Sequence, residues 1–580
     1  MRLSTECLRS GSRSGTRYVA RWMATARDGN ASSTVVDYTK RRETVENSEP
    51  SKFYPRYGLV KREGYTTIRV PEFLKKYESV GKPVEGNEAT SVAATGSAEH
   101  VVVEGRIVGM RKVSRSLFFL DIVQDDVRVQ VVVGRKSIEE NLAAKGESVG
   151  QTEQVGSAGQ TGELDSESSS FEWHASLRKG DHISVAGYPN RTKAGELSLR
   201  ATSAVKMVSP CLRQPAHRLE HRDKINSQRV LNYLVNPMQR QMLVVKAAVI
   251  AAIRGYLSTR GFLEVQTPIV AGAGTGANAE PFLTTSKAID SSSSGALQLR
   301  VAPELWLKKL VISGFDKVFE IGQNFRNEGI DATHNPEFLS CEFYKSHTDL
   351  DELMEITEEI FADILARLPA SQRQLPQEDK TLFEQLRSGS YARYEFIPTL
   401  ESKIGLSFPA QLTSESLIEY FHQAGIKVPD QRSPSNLLDT LSGLYLEPLS
   451  HEGPIFIYNQ PAVMSPLAKS APMEYHGNTY NVSLRFEMFV RGKEYVNSYE
   501  EENSPFEQLS KFEAQVAAKD EFHDNESLVP DWEYVKAMEY GLPPTGGWGC
   551  GIDRLAMLFS GSERIEDVLP FGSLKDVIKQ

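Results

Sequence analysis

Residues 317–349, KVFEIGQNFRNEGIDATHNPEFLSCEFYKSHTD, restrict this chain more than any other stretch. Residues 318–326 alternate: Phe319, Ile321 and Phe325 share one face, and Glu320, Asn324 and Arg326 the other, which is the period of a strand. Residues 338–344 repeat the pattern, with Phe338, Glu342 and Tyr344 on one side. Between them, Asn327-Glu328-Gly329 and His334-Asn335-Pro336-Glu337 are polar and turn-forming, so the spacing predicts a hairpin around an eleven-residue loop. Arg326, Glu328, His334, Glu342 and Tyr344 are concentrated on it. An arginine fork suits phosphate or carboxylate; a salt-bridged surface hairpin is the plain alternative.

A chain of 580 residues predicts two or three domains, and a composition 40% hydrophobic and 24% charged is globular. The net charge of −10 means that any nucleic acid must meet local basic patches. Cys7, Cys211, Cys341 and Cys550 lie far apart, with neither metal spacing nor a disulfide framework. No uninterrupted apolar run reaches membrane-spanning length, and no membrane partner is expected. Residues 1–27 hold six arginines against one acid, Glu6, and lack an apolar core. That is the composition of a mitochondrial presequence, with a basic tail that binds RNA as the plainer alternative. Residues 28–97 read as an extension and linker, with a helix near 71–77.

Strand-like runs at 101–108, 116–122, 127–134, 182–188 and 196–208 predict a small five-stranded barrel of the oligonucleotide-binding type over 98–212. Residues 144–170, rich in Gly, Ser, Gln and Glu, should be a disordered insertion in it. Further on, Asn236 and Pro237 predict an N-cap and first position for a helix that Gly261 ends. Residues 350–455 are mostly helical in pattern, broken at Pro369, Pro376, Pro409 and Pro434. Residues 485–490 and 493–497 can pair around Arg491-Gly492, with Val490 facing Lys493, Phe489 facing Glu494 and Glu487 facing Val496. Glu487 and Glu494 then become diagonal neighbours about 7–8 Å apart. Two such carboxylates plus substrate phosphates suit Mg²⁺; a solvated acidic face is the alternative. In a regular strand Asn497 and Glu501 face away from Glu494, so a shared pocket requires a bulge near residues 495–497.

FRNEG…THNPEF…CEFY resembles motif 2 of the class II aminoacyl-tRNA synthetases, in the form used by the lysine enzyme. GFLEVQTPIV, with Pro268, resembles motif 1; GGWGCGIDRLAMLF resembles motif 3; LRVAPELWLKKLVISG and MSPLAK are similar to further family segments. The motifs stand in the family's order, and the resemblance covers roughly residues 98–575.

The resemblance implies an α+β fold: an antiparallel sheet flanked by helices over 213–580, with a helical insertion at about 350–455, behind an N-terminal OB-fold barrel that binds the anticodon. It implies ATP-dependent ligation of L-lysine to tRNA(Lys) through lysyl-adenylate, with Mg²⁺ as cofactor and a homodimer formed through the Pro268 region. Together with residues 1–27 it places the protein in the mitochondrial matrix. By resemblance, Arg326 and Arg554 are catalytic: Arg326 bridges the ATP α-phosphate and the amino-acid carboxylate, while Arg554 covers the adenine opposite Phe338. Glu328 and His334 join the ATP site, and Glu487 and Glu494 hold the metal. Gly276 and Glu304 meet the α-ammonium, Glu342, Tyr344 and Asn497 complete the amino-acid pocket, and Glu501 pairs with the ε-ammonium. Phe119 and Gln130 fall where the family stacks and reads an anticodon base. Plainer readings remain: a surface loop around Gly276, a helix-dipole partner in Glu304, a core side chain in Phe119. A carboxylate at Glu501 argues against the aspartate and asparagine enzymes, and the retained Arg326, Glu487, Glu494 and Arg554 argue against a non-catalytic paralogue.

Overall fold

The structure, a computed structural model, describes residues 31–62, 64–80, 99–144, 174, 176–192, 194–215, 218–272, 279–287, 297–368, 377–522 and 530–578. The chain divides into two compact units, Met1–His217 and Arg218–Gln580. The expected presequence at 1–27, Gly276 and nearly all of the expected insertion at 144–170 lie outside the described residues.

The first unit has five strands, β1 (Val101–Ser114), β2 (Leu117–Gln124), β3 (Val127–Gly134), β4 (His182–Arg191) and β5 (Leu197–Ala201), with burial alternating along β2 and β3 and a continuous buried run, Ile183–Gly187, in β4. They pair in the order β1-β2-β3-β5-β4, and β4 returns to β1, which closes the barrel. The run expected at 196–208 is two strands. Only β5 enters the ring, whereas Lys206–Ser209 pairs separately with β4 because the chain turns at Thr202-Ser203. A helix over Arg135–Ala144, not expected from the sequence, follows β3. The helix Ala31–Glu46 is pinned to the barrel by Arg41, whose guanidinium lies 3.1 Å from the fully buried carboxylate of Asp181.

The second unit is built on eight strands: β6 (Leu263–Glu264), β7 (Lys317–Phe325), β8 (Glu337–Ser346), β9 (Ala392–Glu395), β10 (Ile455–Tyr458), β11 (Arg485–Val490), β12 (Lys493–Glu500) and β13 (Thr545–Gly551). Their order is β9-β10-β11-β12-β13-β8-β7-β6. The six inner strands are antiparallel, and the two edge pairs, β9–β10 and β7–β6, are parallel. One face is covered by α1 (Pro237–Thr259), α3 (Leu350–Arg367) and α8 (Ile552–Ser560), whose apolar stripes meet Phe319, Phe343, Trp548 and Val496 in the main core. Phe343 and Trp548, on neighbouring strands, stack with ring centroids 5.1 Å apart, and the buried Trp548 N–H donates to Thr357 Oγ1 of α3 at 2.9 Å.

By length and composition α1 is apolar enough to cross a membrane, although Lys246 and Arg254 interrupt its apolar run. Its stripe of Val245, Val249, Ala252, Ile253, Tyr256 and Leu257 is instead buried in the core. Pro237 opens it as expected, but Asn236 does not cap it, because its amide donates to Leu219 O (2.9 Å) and Asn232 Oδ1 (2.7 Å). Between α3 and β11, the helices α4 (Phe396–Ile404), α5 (Ser414–Gln423) and α6 (Pro434–Tyr445) pack a second core. The expected helical insertion at 350–455 is therefore not all helix: Ala392–Glu395 departs from the pattern as an edge strand, held parallel to β10.

Candidate active site

The hairpin β7–β8 pairs in continuous register from Lys317↔Lys345 to Phe325↔Glu337. Residues 338, 340, 342 and 344 therefore point to one side, and Phe338, Ser340, Glu342 and Tyr344 line a cavity of about 510 Å³ over the sheet. Glu320 is buried rather than solvated. It takes the Arg300 guanidinium at 2.6 Å and accepts from Thr267 N (3.0 Å) and Oγ1 (2.7 Å), which anchors the segment after β6 and the segment before β7 to the sheet.

The β11–β12 hairpin turns on Arg491 (φ 51°) and Gly492 (φ 70°), two left-handed residues as a two-residue hairpin requires. Val490 faces Lys493 and Phe489 faces Glu494 as expected; Glu487, however, faces Asn497, not Val496. The register shifts between Met488 and Phe489, so Tyr495 is the extra residue of a bulge. That single residue puts Glu487, Glu494 and Asn497 on the cavity side together.

Of the residues singled out in the sequence, Glu304, Arg326, Glu328, His334, Phe338, Glu342, Tyr344, Glu487, Glu494, Asn497 and Arg554 all line this one cavity. Glu501 does not. It is buried under Gly547, where an added Cβ would collide with its Oε1, and its carboxylate touches the ammonium of Lys308. Lys308 also lies 2.6 Å from Glu304, whose Oε1 accepts from Tyr499 OH at 2.6 Å.

At the other end of the cavity the Arg326 guanidinium lies over the Phe338 ring, 5.1 Å from its centroid, with a buried Nε that makes no hydrogen bond among the described residues. Arg554, in the first turn of α8, is held by Glu494 O (3.1 Å) and His334 Nε2 (2.6 Å). Burial pushes the Glu342 carboxyl up to about 8, and Glu304 adds to this against the Tyr344 hydrogen bond and Arg326. Glu487 is also raised, first by burial and further by Glu494, with Arg485 opposing.

Arg485 was not singled out in the sequence. It contacts Glu487 and donates to Asn497 Oδ1 (2.9 Å) and Ser465 Oγ (2.7 Å), tying β11, β12 and the MSPLAK segment together. The signal was present, since Arg485 and Glu487 share a strand face. Lys308 was missed as well, although it stands one helical turn after Glu304. In the first unit Phe118 points inward and is 2% exposed, whereas Phe119 is half-buried on the outer face with the Arg111 guanidinium 4.8 Å from its ring centroid. Gln130 shares that outer face and donates to Glu196 at 3.0 Å.

The family model for class II tRNA synthetases (D, K and N) matches residues 221–575. A Schizosaccharomyces pombe protein named mitochondrial lysine–tRNA ligase is 38% identical over 88% of this chain and 89% of its own length. A Saccharomyces cerevisiae protein of the same name is 34% identical over 94% of both chains, and a lysine–tRNA ligase of Mesomycoplasma hyopneumoniae is 36% identical over 69% of this chain and 79% of its own. With its largely antiparallel sheet, its barrel and the residues of the second and third motifs lining one cavity, the chain belongs to the class II aminoacyl-tRNA synthetases of the D, K and N group, and is an aminoacyl-tRNA ligase.

Proposed function

We propose that this protein ligates L-lysine to tRNA(Lys) through lysyl-adenylate and serves mitochondrial translation. The observation that supports the reading is the pair Glu304 and Glu342 at one end of the cavity, with Tyr344 and Tyr499 among them and Glu501 buried just behind Gly547, joined to Glu304 through Lys308. Buried carboxylates want cations. A substrate with two ammonium groups satisfies them, whereas an aspartate side chain would be repelled. At the other end Arg326 and Arg554 receive the anions.

In this reading Arg326 draws the lysine carboxylate and the ATP α-phosphate together, so that the carboxylate oxygen attacks phosphorus and pyrophosphate departs. Arg554 and Phe338 enclose the adenine, while Glu328 and His334 hold the nucleotide's edge. Glu304 takes the α-ammonium, beside the glycine-rich segment that contains Gly276. Glu342, Tyr344, Asn497 and Glu501 receive the side chain. Two carboxylates on adjoining strands, Glu487 raised by burial and by its neighbour Glu494, fit Mg²⁺ carried in with ATP. Bound there, the ion would neutralise phosphate charge. The adenylate then passes lysine to the terminal adenosine of the tRNA, whose anticodon meets Phe119 and Gln130 on the barrel.

Exposed apolar residues around Pro268, among them Leu263, Ile269 and Val270, support a homodimer through that region. The arginine-rich residues 1–27 and the names of the yeast relatives support the mitochondrial matrix. Deleting 1–27 should then abolish import while leaving activity intact. The deciding experiment is ATP–pyrophosphate exchange with each of the twenty amino acids: lysine alone should drive it, and exchange driven by aspartate or asparagine overturns the reading.

A further inference from the structure

Lys308 lies on α2 (Glu304–Ile312), and its side chain is completely buried. A buried ammonium is costly unless it is paired. This one is paired twice: Nζ is 2.6 Å from Glu304 Oε1 and in direct contact with Glu501 Oε2. Its remaining surroundings are aromatic, with the rings of Tyr344, Tyr499 and Tyr534 centred 6.0, 5.6 and 5.8 Å away. Burial alone would discharge it, but Glu304 and Glu501 outweigh that and hold it above the ordinary lysine range. The two carboxylates come from distant parts of the chain, one from the first turn of α2 and the other from just beyond β12. Apart from that contact with Lys308, neither oxygen of Glu501 accepts a hydrogen bond among the described residues, so its capacity is unspent.

Charge makes the arrangement specific. With the diamino acid bound, and Glu342 having given up the proton that burial holds on it in the empty pocket, the three carboxylates Glu304, Glu342 and Glu501 against one fixed ammonium leave two negative charges. That equals the two ammonium groups of a diamino acid whose carboxylate is met by Arg326. Because a single nitrogen touches both Glu304 and Glu501, it also fixes how far apart they stand.

We propose that Lys308 is a positioning residue that sets substrate choice: one internal ammonium ties Glu304 in the cavity wall to Glu501 behind Gly547, and the spacing it sets selects the length of the diamino acid bound. The proposal rests on the lysine reading above. Without Lys308 the two carboxylates repel, separate and take up a proton, and the pocket loses both its charge and its measure.

The test is ATP–pyrophosphate exchange by the full-length protein with lysine and with ornithine, which is one methylene shorter. In an intact pocket one methylene is worth about 10–200-fold. Lys308→Met should raise the lysine KM about tenfold or more, leave the ATP KM within about twofold, and reduce the lysine-over-ornithine preference in kcat/KM about tenfold. A role confined to holding the fold together would lower the melting temperature without moving that preference. Should Lys308→Met fail to fold, Lys308→Arg keeps the charge but spreads the carboxylates with a broader head, and the preference should still fall. An unchanged preference in whichever variant folds overturns the proposal. A wild-type protein that shows no lysine-dependent exchange overturns the lysine reading and the proposal with it.

Discussion

Arg326 has a buried Nε with no hydrogen-bond partner among the described residues and a guanidinium resting on Phe338, so it is already partly desolvated where an anion should arrive. Preorganised donors of this kind are worth about 3–4 kcal/mol. Arg326→Ala should therefore slow lysine-dependent exchange at least about a hundredfold while circular dichroism stays unchanged; near-normal exchange in the folded variant would remove Arg326 from the mechanism. Glu342 carries a second prediction. Its carboxyl is raised to about 8, so in the empty pocket it is protonated at neutral pH. An unfolded glutamate has already lost its proton above about 4.3. Between these values the folded chain binds a proton that the unfolded chain lacks, so this group's contribution to stability falls as pH rises towards about 8. Lysine affinity should move the other way, because the ionised carboxylate is the better partner for an ammonium. Calorimetry should show lysine Kd falling as pH approaches about 8 and then levelling, and Glu342→Gln should flatten that profile.

The hairpins show what the sequence could and could not convey. Periodicity placed β7 and β8 within a residue or two of their true ends and set Glu342 and Tyr344 on the same face, because the pairing from Lys317 to Phe325 is unbroken. The β11–β12 register was legible only as far as the bulge. An extra residue leaves no mark in composition; a bulge near 495–497 follows from asking Glu487, Glu494, Asn497 and Glu501 to share a pocket, and Tyr495 supplies it for the first three, while Glu501 stays behind Gly547. Glu501 was legible as a buried counter-charge, but its place behind Gly547 and its engagement with Lys308 were not, since they depend on a helix nearly two hundred residues away. The helical insertion hid the edge strand Ala392–Glu395 because four residues are too few to show a period. At the turn, Gly492→Val forces a β-branched residue to φ 70°. A left-handed residue other than glycine costs about 1–2 kcal/mol, so the midpoint of urea unfolding should drop accordingly; an unchanged midpoint would mean that the turn relaxes freely.

Across the whole chain, each unit has its own hydrophobic core, and the expected sites are divided between them: the cavity in Arg218–Gln580, Phe119 and Gln130 in Met1–His217. The inward Phe118 and outward Phe119 allow a clean separation of roles. Phe119→Ala should cost about 1–3 kcal/mol of base stacking and weaken tRNA lysylation while leaving tRNA-independent exchange untouched. Parallel loss of both activities would mark Phe119 as structural.

Strand β13 contributes to the cavity largely by what it omits. A Cβ at Gly546 would run into Thr348 and Leu353, and one at Gly547 into Glu501 and Tyr344, so an alanine at either position disturbs the empty protein. At Gly549 the nearest atoms, Glu342 Cγ and Asn497 O, lie 3.5 and 3.7 Å from such a carbon, which is ordinary contact. Gly549→Ala should therefore melt like the parent and yet be inert, its methyl standing in space reserved for the substrate. In a deep mutational scan that reads abundance and activity separately, these three neighbouring glycines should split: position 549 abundant but dead, 546 and 547 depleted on both counts. A glycine whose loss is felt only by the ligand marks where the bound molecule lies closest to the backbone, and such a scan would trace the outline of the substrate without a ligand-bound structure.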